Sequence, residues 1–124
     1  MKRVLNVGQC IPDNAGITQM LKSNFNVEVE VAETHADAVR MASESAFDLV
    51  LLNRIYDATG AEGIDTVKTL KSEESTRSTP VMLVSNYQDA QEAAVAVGAE
   101  EGFGKSTLED PMTIDRLRHF LADA

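Results

Sequence analysis

Four short apolar runs, separated by stretches with helical spacing, constrain the fold of this chain more than any other feature. The runs are Val4 to Val7, Val27 to Val31, Leu49 to Leu52 and Val81 to Val84. Runs of this length, rich in Val and Leu and bounded by polar or turn residues, are typical of β-strands. Three are almost continuously apolar, which predicts strands covered on both faces. The second alternates valine with glutamate, which indicates an edge strand.

Helical patterns fill the intervals. A capping pattern at Thr34 and Asp37, a glycine stop at Gly98 and a cap followed by proline at Asp110 and Pro111 mark helix ends. A further short strand is predicted at Phe103. The order is β-α repeated five times, which predicts an α/β fold with a doubly wound parallel sheet. We expect residues 1–124 to form a single domain.

Composition narrows the classes of partner. The formal net charge is -9, which argues against nucleic acid and anionic membrane surfaces, since both are negatively charged. The single cysteine, Cys10, excludes a disulfide framework and fits the cytoplasm. No apolar run approaches the roughly 20 residues of a membrane span. A cytoplasmic protein without membrane contact is therefore expected.

Ligands of open parallel sheets bind beyond the carboxyl ends of the strands. Polar or small residues follow four of the predicted strands at that edge. They are Gly8, Gln9 and Cys10 after the first strand, Asn53 after the third, Ser85 and Asn86 after the fourth, and Lys105 after the fifth.

Four segments in this order resemble the receiver domain of response regulators, the family of the bacterial chemotaxis protein. They are VLNVGQCIPDN, FDLVLLN, TPVMLVSN and GAEEGFGKS, and the resemblance covers essentially the whole chain. It implies a flavodoxin-like, five-stranded sheet in the order 2-1-3-4-5 and a role in two-component signal transduction.

The resemblance also implies site roles, several of which these residues do not fit. Asn53 stands at the position of the phospho-acceptor aspartate, where an amide offers no anionic oxygen for attack on phosphorus. Gly8 and Gln9 stand at the acidic pair that holds Mg²⁺, which prefers anionic oxygens. Ser85 and Lys105 match the hydroxyl and the lysine of the family. Loss of Mg²⁺, no other cofactor and no catalytic residue are therefore expected.

Further departures accompany these. Asp57 replaces a proline after the acceptor, in a loop that is about two residues longer, and Ser106 replaces a proline after the lysine, so a cis peptide is not expected there. Gly102 stands at the aromatic switch position, whereas Phe103 is predicted to lie in the core.

Several side chains keep open interpretations. Lys105 is expected to bond Asn53 or backbone carbonyls, with anion binding as the alternative. Asp13 and Asp57 are the nearest acids by sequence that could satisfy the Lys105 ammonium, and they remain weak candidates for a cation site. Cys10 is expected to be structural or incidental, with a redox role as the alternative, and His35 and His119 are expected on the surface.

The sequence thus predicts a degenerate receiver domain that binds a protein partner without phosphorylation and is not an enzyme. The partner face implied by the family is the fourth helix, fifth strand and fifth helix, and it could also support a homodimer. On this chain it would carry Tyr87, Gln88, Gln91, Glu92, Glu101 and Arg116. The alternative is an active receiver that uses Asp57 or Ser85 as acceptor with a residual Mg²⁺ site. A third interpretation is sensing of a small anion or nucleotide through Lys105.

Overall fold

Five parallel strands form one sheet in the order β2-β1-β3-β4-β5. The computed structural model describes residues 1–123. The strands are β1 (Lys2–Val7), β2 (Val27–Ala32), β3 (Leu49–Asn53), β4 (Val81–Val84) and β5 (Glu100–Phe103). The helices are α1 (Ile11–Asn24), α2 (His35–Glu44), α3 (Gly63–Ser72), α4 (Gln88–Ala96) and α5 (Pro111–Leu121), with a short 3₁₀ turn at Lys105–Thr107. The predicted fold class and strand order are confirmed.

The sheet is covered on both faces because its central strands carry apolar residues at consecutive positions. Successive side chains of β3 point to opposite faces of the sheet. Val50 and Leu52 pack with α2, α3 and α4 on one face. Leu49 and Leu51 pack with α1 and α5 on the other. Phe103 belongs to this second cluster and is 3% exposed, as predicted.

Strand β2 lies at one edge of the sheet, as its alternating pattern predicted. Val27 and Ala32 are buried, whereas Glu28 and Val31 are exposed. Glu30 forms an ion pair with Arg3 of the neighbouring strand β1. Charge along an open edge disfavours pairing with another chain.

Three helix boundaries follow the sequence signals. The Thr34 side chain accepts a hydrogen bond from the Asp37 amide, Gly98, after α4, takes a positive φ of 113°, and α5 begins at Pro111 with Asp110 as its N-cap. Helix α1 has Cys10 as its N-cap and Pro12 in its first turn, so it begins before Asp13 and Asn14, either of which could cap a helix by residue type. Proline suits that turn because its missing N–H has no partner there.

None of the helices within residues 1–123 is long and apolar enough to cross a bilayer.

Candidate functional site

A cavity of about 250 Å³ opens at the carboxyl ends of β3 and β4. It brings together three residues predicted from separate strands, Asn53, Ser85 and Lys105. Its remaining lining comes from Arg54, Ile55, Val84, Asn86 and Tyr87. The location follows the rule for open parallel sheets.

Asn53 ends strand β3 and is 8% exposed. Its Nδ2 atom donates to the carbonyl of Gly8 at 3.0 Å and to the carbonyl of Ile55 at 2.6 Å. The Asn53 Nδ2 group therefore donates one hydrogen bond to each of two backbone carbonyl oxygens. These oxygens are satisfied by a neutral donor, and the side chain has no nucleophilic atom to present.

Gly8 adopts a left-handed backbone conformation with φ of 75° at the end of β1. A Cβ atom on Gly8 would lie 2.6 Å from Cγ and 2.9 Å from Cε1 of Tyr56, and closer still to Cδ1. The Tyr56 ring thus occupies the space into which any side chain at position 8 would project. Position 8 holds a glycine, and the packing around it would leave no room for an acidic side chain.

Tyr56 is 1% exposed and its phenol is anchored inside the protein. Its hydroxyl donates to Thr66 Oγ1 of α3 at 2.7 Å, and His35 Nδ1 lies 2.8 Å from the same oxygen. Burial raises the pKa of Tyr56 to about 12, although the hydrogen bond to Thr66 opposes that shift. His35 is half-buried and its ring turns inward to Thr66, so its expected surface position is confirmed only in part. His119 is exposed, as expected.

The loop between β3 and α3 holds this ring in place. Ile55 and Glu62 form an antiparallel bridge, and the Tyr56 amide donates to the Ala61 carbonyl at 2.8 Å. Gly60 turns the loop with φ of 74°. The lengthened loop thus closes on itself as a small hairpin.

A divalent cation does not fit the donor set at this edge. Gly8 supplies no side chain, the Asn53 amide points its nitrogen at the nearest carbonyls, and Asp57 is exposed on the loop. The side-chain oxygen and nitrogen of Gln9 are buried without a protein partner, and both are uncharged. Across residues 1–123, no three His, Cys, Asp or Glu side chains are grouped to hold a metal.

Lys105 bonds neither Asn53 nor a backbone carbonyl, so that expectation is wrong. Its Nζ lies 2.7 Å from Oδ2 of Asp13 on α1. Hydrogen bonds from Lys105 and Cys10, together with the lysine's charge, hold the pKa of the Asp13 carboxyl below its usual value of 3.8. Asp13 replaces the counter-charge that an acceptor aspartate would supply, and it is no longer free for a cation.

Replacing Asp13 by asparagine is expected to lower the free energy of unfolding at neutral pH by about 0.5–1 kcal/mol, the range of a partly exposed ion pair. Because the carboxyl pKa is lowered in the folded state, this contribution is present above pH 3.8 and is lost as the pH falls through the lowered pKa. Urea unfolding of both proteins across this range measures it. A difference that stays constant at low pH would contradict the assignment.

Ser85 and Asn86 bond protein groups around the cavity. Ser85 Oγ accepts from the Tyr87 amide at 3.1 Å, which turns the chain into α4. Asn86 Oδ1 accepts from both the amide and the hydroxyl of Ser106, at 3.1 and 2.9 Å. Within the described residues no peptide bond is cis, in line with serine at position 106.

A Cβ atom on Gly102 would collide with the Leu83 carbonyl oxygen, and Oε1 of Gln91 lies 3.1 Å from the same position. Gln91 is 7% exposed, so its predicted place on the exposed partner face is wrong. Its Nε2 donates to the Leu83 carbonyl at 2.8 Å and to the Ser85 carbonyl at 3.1 Å, and its Oε1 accepts from the Gly102 amide at 3.0 Å. The glutamine thus forms hydrogen bonds with backbone groups of β4 and β5 at the point where the pairing of these two strands is irregular.

Replacing Gln91 by leucine is expected to lower the free energy of unfolding by about 2 kcal/mol, because buried backbone groups lose their partners. The matched control is Gln88→Leu on the exposed surface of the same helix, expected to change it by less than about 0.5 kcal/mol. Urea denaturation compares the two. Equal effects would show that the buried bonds of Gln91 contribute nothing.

Tyr56 and the buried role of Gln91 were not predicted from the sequence. Gly8 is a signal for Tyr56, since a position without a side chain leaves volume for another residue to fill. The glycine does not identify the residue that fills this volume, because Tyr56 comes from another element of the chain.

Comparison with known families agrees with this architecture. The sequence matches the model of the response regulator receiver domain over residues 13–120. The chain therefore belongs to the response regulator receiver domain family, whose members act in two-component systems. No curated protein matches the sequence.

Solved structures show the same fold. A response regulator from Chloroflexus aurantiacus J-10-fl is 18% identical, with a TM-score of 0.85 and 98% of each chain covered. The signal receiver domain of a DNA-binding response regulator from Colwellia psychrerythraea 34H is 23% identical, with a TM-score of 0.78 and coverage of 96% of this chain and 97% of that chain. The chemotaxis response regulator CheY4 of Vibrio cholerae is 22% identical, with a TM-score of 0.74 and coverage of 98% and 99%.

Proposed function

We propose that this receiver domain is a phosphorylation-independent protein-interaction module of a two-component pathway. The observation that carries the proposal is the bonding of Asn53, whose Nδ2 donates to the carbonyls of Gly8 and Ile55. Acyl-phosphate formation needs an anionic carboxylate oxygen at this position, and an amide does not supply one.

The charges around Asn53 support the same function. Lys105 is neutralised by Asp13 at 2.7 Å, so the cavity holds no free lysine to attract a phosphoryl group. The Ser85 Oγ accepts a hydrogen bond from the Tyr87 amide, which holds this side chain at the start of α4. Binding without catalysis or a metal cofactor is the activity that these residues can perform.

The proposed partner is a signalling protein that contacts the face formed by α4, β5 and α5. Tyr87, Val95 and Met112 expose 59%, 46% and 64% of their surface there. Asp89 and Glu92 add negative charge beside them, whereas Glu101 is paired with Arg116 at 3.1 Å, and the remaining acidic charge favours a partner segment with basic and apolar side chains. A second copy of the chain is less suited to this face, because like charges would meet across it.

The test is intact mass measurement after incubation with acetyl phosphate and Mg²⁺. We expect no phosphoryl adduct on the natural sequence. An adduct that disappears in Asp57→Asn would instead support an active receiver that uses the exposed loop carboxylate. An adduct lost in Ser85→Ala would assign that role to the serine, and either result would contradict the proposal.

A further inference from the structure

We propose that the ring of Tyr56 is an internal plug that closes the position of the receiver metal site. The inference rests on the proposed function and deepens it, since the site would be blocked by a side chain in addition to lacking its acids. Restoring the acids alone would then leave the protein unable to bind a divalent cation.

Packing is the first step of the argument. The ring lies against the Gly8 backbone, where a Cβ atom would fall 2.6 Å from Cγ and 2.9 Å from Cε1. Tyr56 belongs to the core cluster that includes Leu5, Val7 and Val67. A ring that is 1% exposed and packed in this way leaves no volume beside Gly8 for a carboxylate ligand or for a water molecule of a hydrated cation.

Hydrogen bonds fix the ring from both ends. The hydroxyl donates to Thr66 Oγ1 at 2.7 Å. The Tyr56 backbone pairs with Ala61 and with Gly60, each at 2.8 Å, and the next amide, of Asp57, donates to the Gly8 carbonyl at 2.9 Å. The ring therefore cannot leave without opening the loop and breaking the contact to β1.

The neutral oxygens near the ring are also in use. The Gly8 carbonyl accepts from both the Asp57 amide and Asn53 Nδ2, and the Ile55 carbonyl accepts from Asn53 Nδ2. Both of these carbonyl oxygens, which could serve a cation as neutral ligands, already face N–H donors. The Tyr56 ring fills the space at Gly8, and the N–H donors occupy the carbonyl oxygens, so the protein's own groups take the place of a cation and its ligands.

The experiment compares Mn²⁺ binding, followed by electron paramagnetic resonance of the free ion, in a two-acid variant that combines Gln9→Asp with Asn53→Asp and retains Gly8. With Tyr56 in place we expect weak or no saturable binding. Adding Tyr56→Leu is expected to raise the affinity for Mn²⁺ by at least about tenfold, a change of the size that supporting residues of metal sites produce. Adding Tyr56→Phe, which keeps the ring, is expected to leave the affinity unchanged.

Equal affinity in the Tyr, Phe and Leu versions, including no saturable binding by any of them, would overturn the inference. If the variants do not fold, the natural protein decides. Nuclear Overhauser contacts between the Tyr56 ring and the Gly8 α-protons support the plug, and their absence overturns it. Phosphorylation of the natural protein would contradict the proposed function instead, so the two ideas fail in different experiments.

Discussion

Gly8→Ala is expected to lower the free energy of unfolding by about 3–4 kcal/mol, combining a strained left-handed residue with overpacking of a filled core. Gly8 has φ of 75°, and its added methyl group would overlap the Tyr56 ring. Tyr56 cannot move aside easily because Thr66 and Ala61 hold it. Urea or thermal unfolding measures the loss.

Gly60→Ala is the matched control for the backbone. Gly60 has nearly the same conformation, with φ of 74°, but no atom lies within 4 Å of the position of its Cβ. Gly60→Ala is therefore expected to lower the free energy of unfolding by about 1 kcal/mol, from the strained backbone alone. The difference between the two variants measures how firmly Tyr56 fills the space at Gly8. Equal losses would mean that the ring does not occupy it.

Asn53→Asp is expected to lower the free energy of unfolding by about 3 kcal/mol at neutral pH, because a buried charge would replace an N–H donor that has its hydrogen-bond partners. The carboxylate would direct oxygen at the Gly8 and Ile55 carbonyls, which now accept from Nδ2 at 3.0 and 2.6 Å. Unfolding measured in urea at neutral pH gives the difference.

Asn86→Asp is the control within the same cavity. Asn86 is exposed and uses its oxygen as the acceptor for Ser106, a role that aspartate can retain. We expect its free energy of unfolding to change by less than about 0.5 kcal/mol. Equal losses at positions 53 and 86 would contradict the donor role of Asn53.

We also expect that Asn53→Asp alone does not permit efficient phosphorylation by acetyl phosphate, since Gly8 and Gln9 provide no anionic metal ligand.

The fold was predictable because its signals are local. Alternating Val and Glu from Val27 to Val31 identified the edge strand, and continuous apolar runs identified the buried strands. The residues at the carboxyl ends of the strands followed from the order of elements. Asn53, Ser85 and Lys105 could thus be assigned to one cavity from sequence.

The bonding within the site was less predictable because it depends on partners distant in the chain. Lys105 pairs with Asp13, 92 positions earlier. The sequence indicated Asp13 and Asp57 as candidate acids for this ammonium, but it gave no reason to prefer either carboxylate to Asn53. Tyr56 occupies volume that glycine at position 8 leaves open, Gln91 bonds the Gly102 amide, and only the packed structure identifies these contacts.

We propose that no phosphoryl chemistry occurs at Asn53 of this receiver domain. Amide NMR spectra recorded with Mg²⁺, and then with beryllofluoride added, give the decisive measurement, because this anion mimics a phosphoryl group. We expect no saturable shifts at Asn53, Ser85 or Lys105. Saturable shifts centred on these residues would show that the site still binds a phosphoryl mimic.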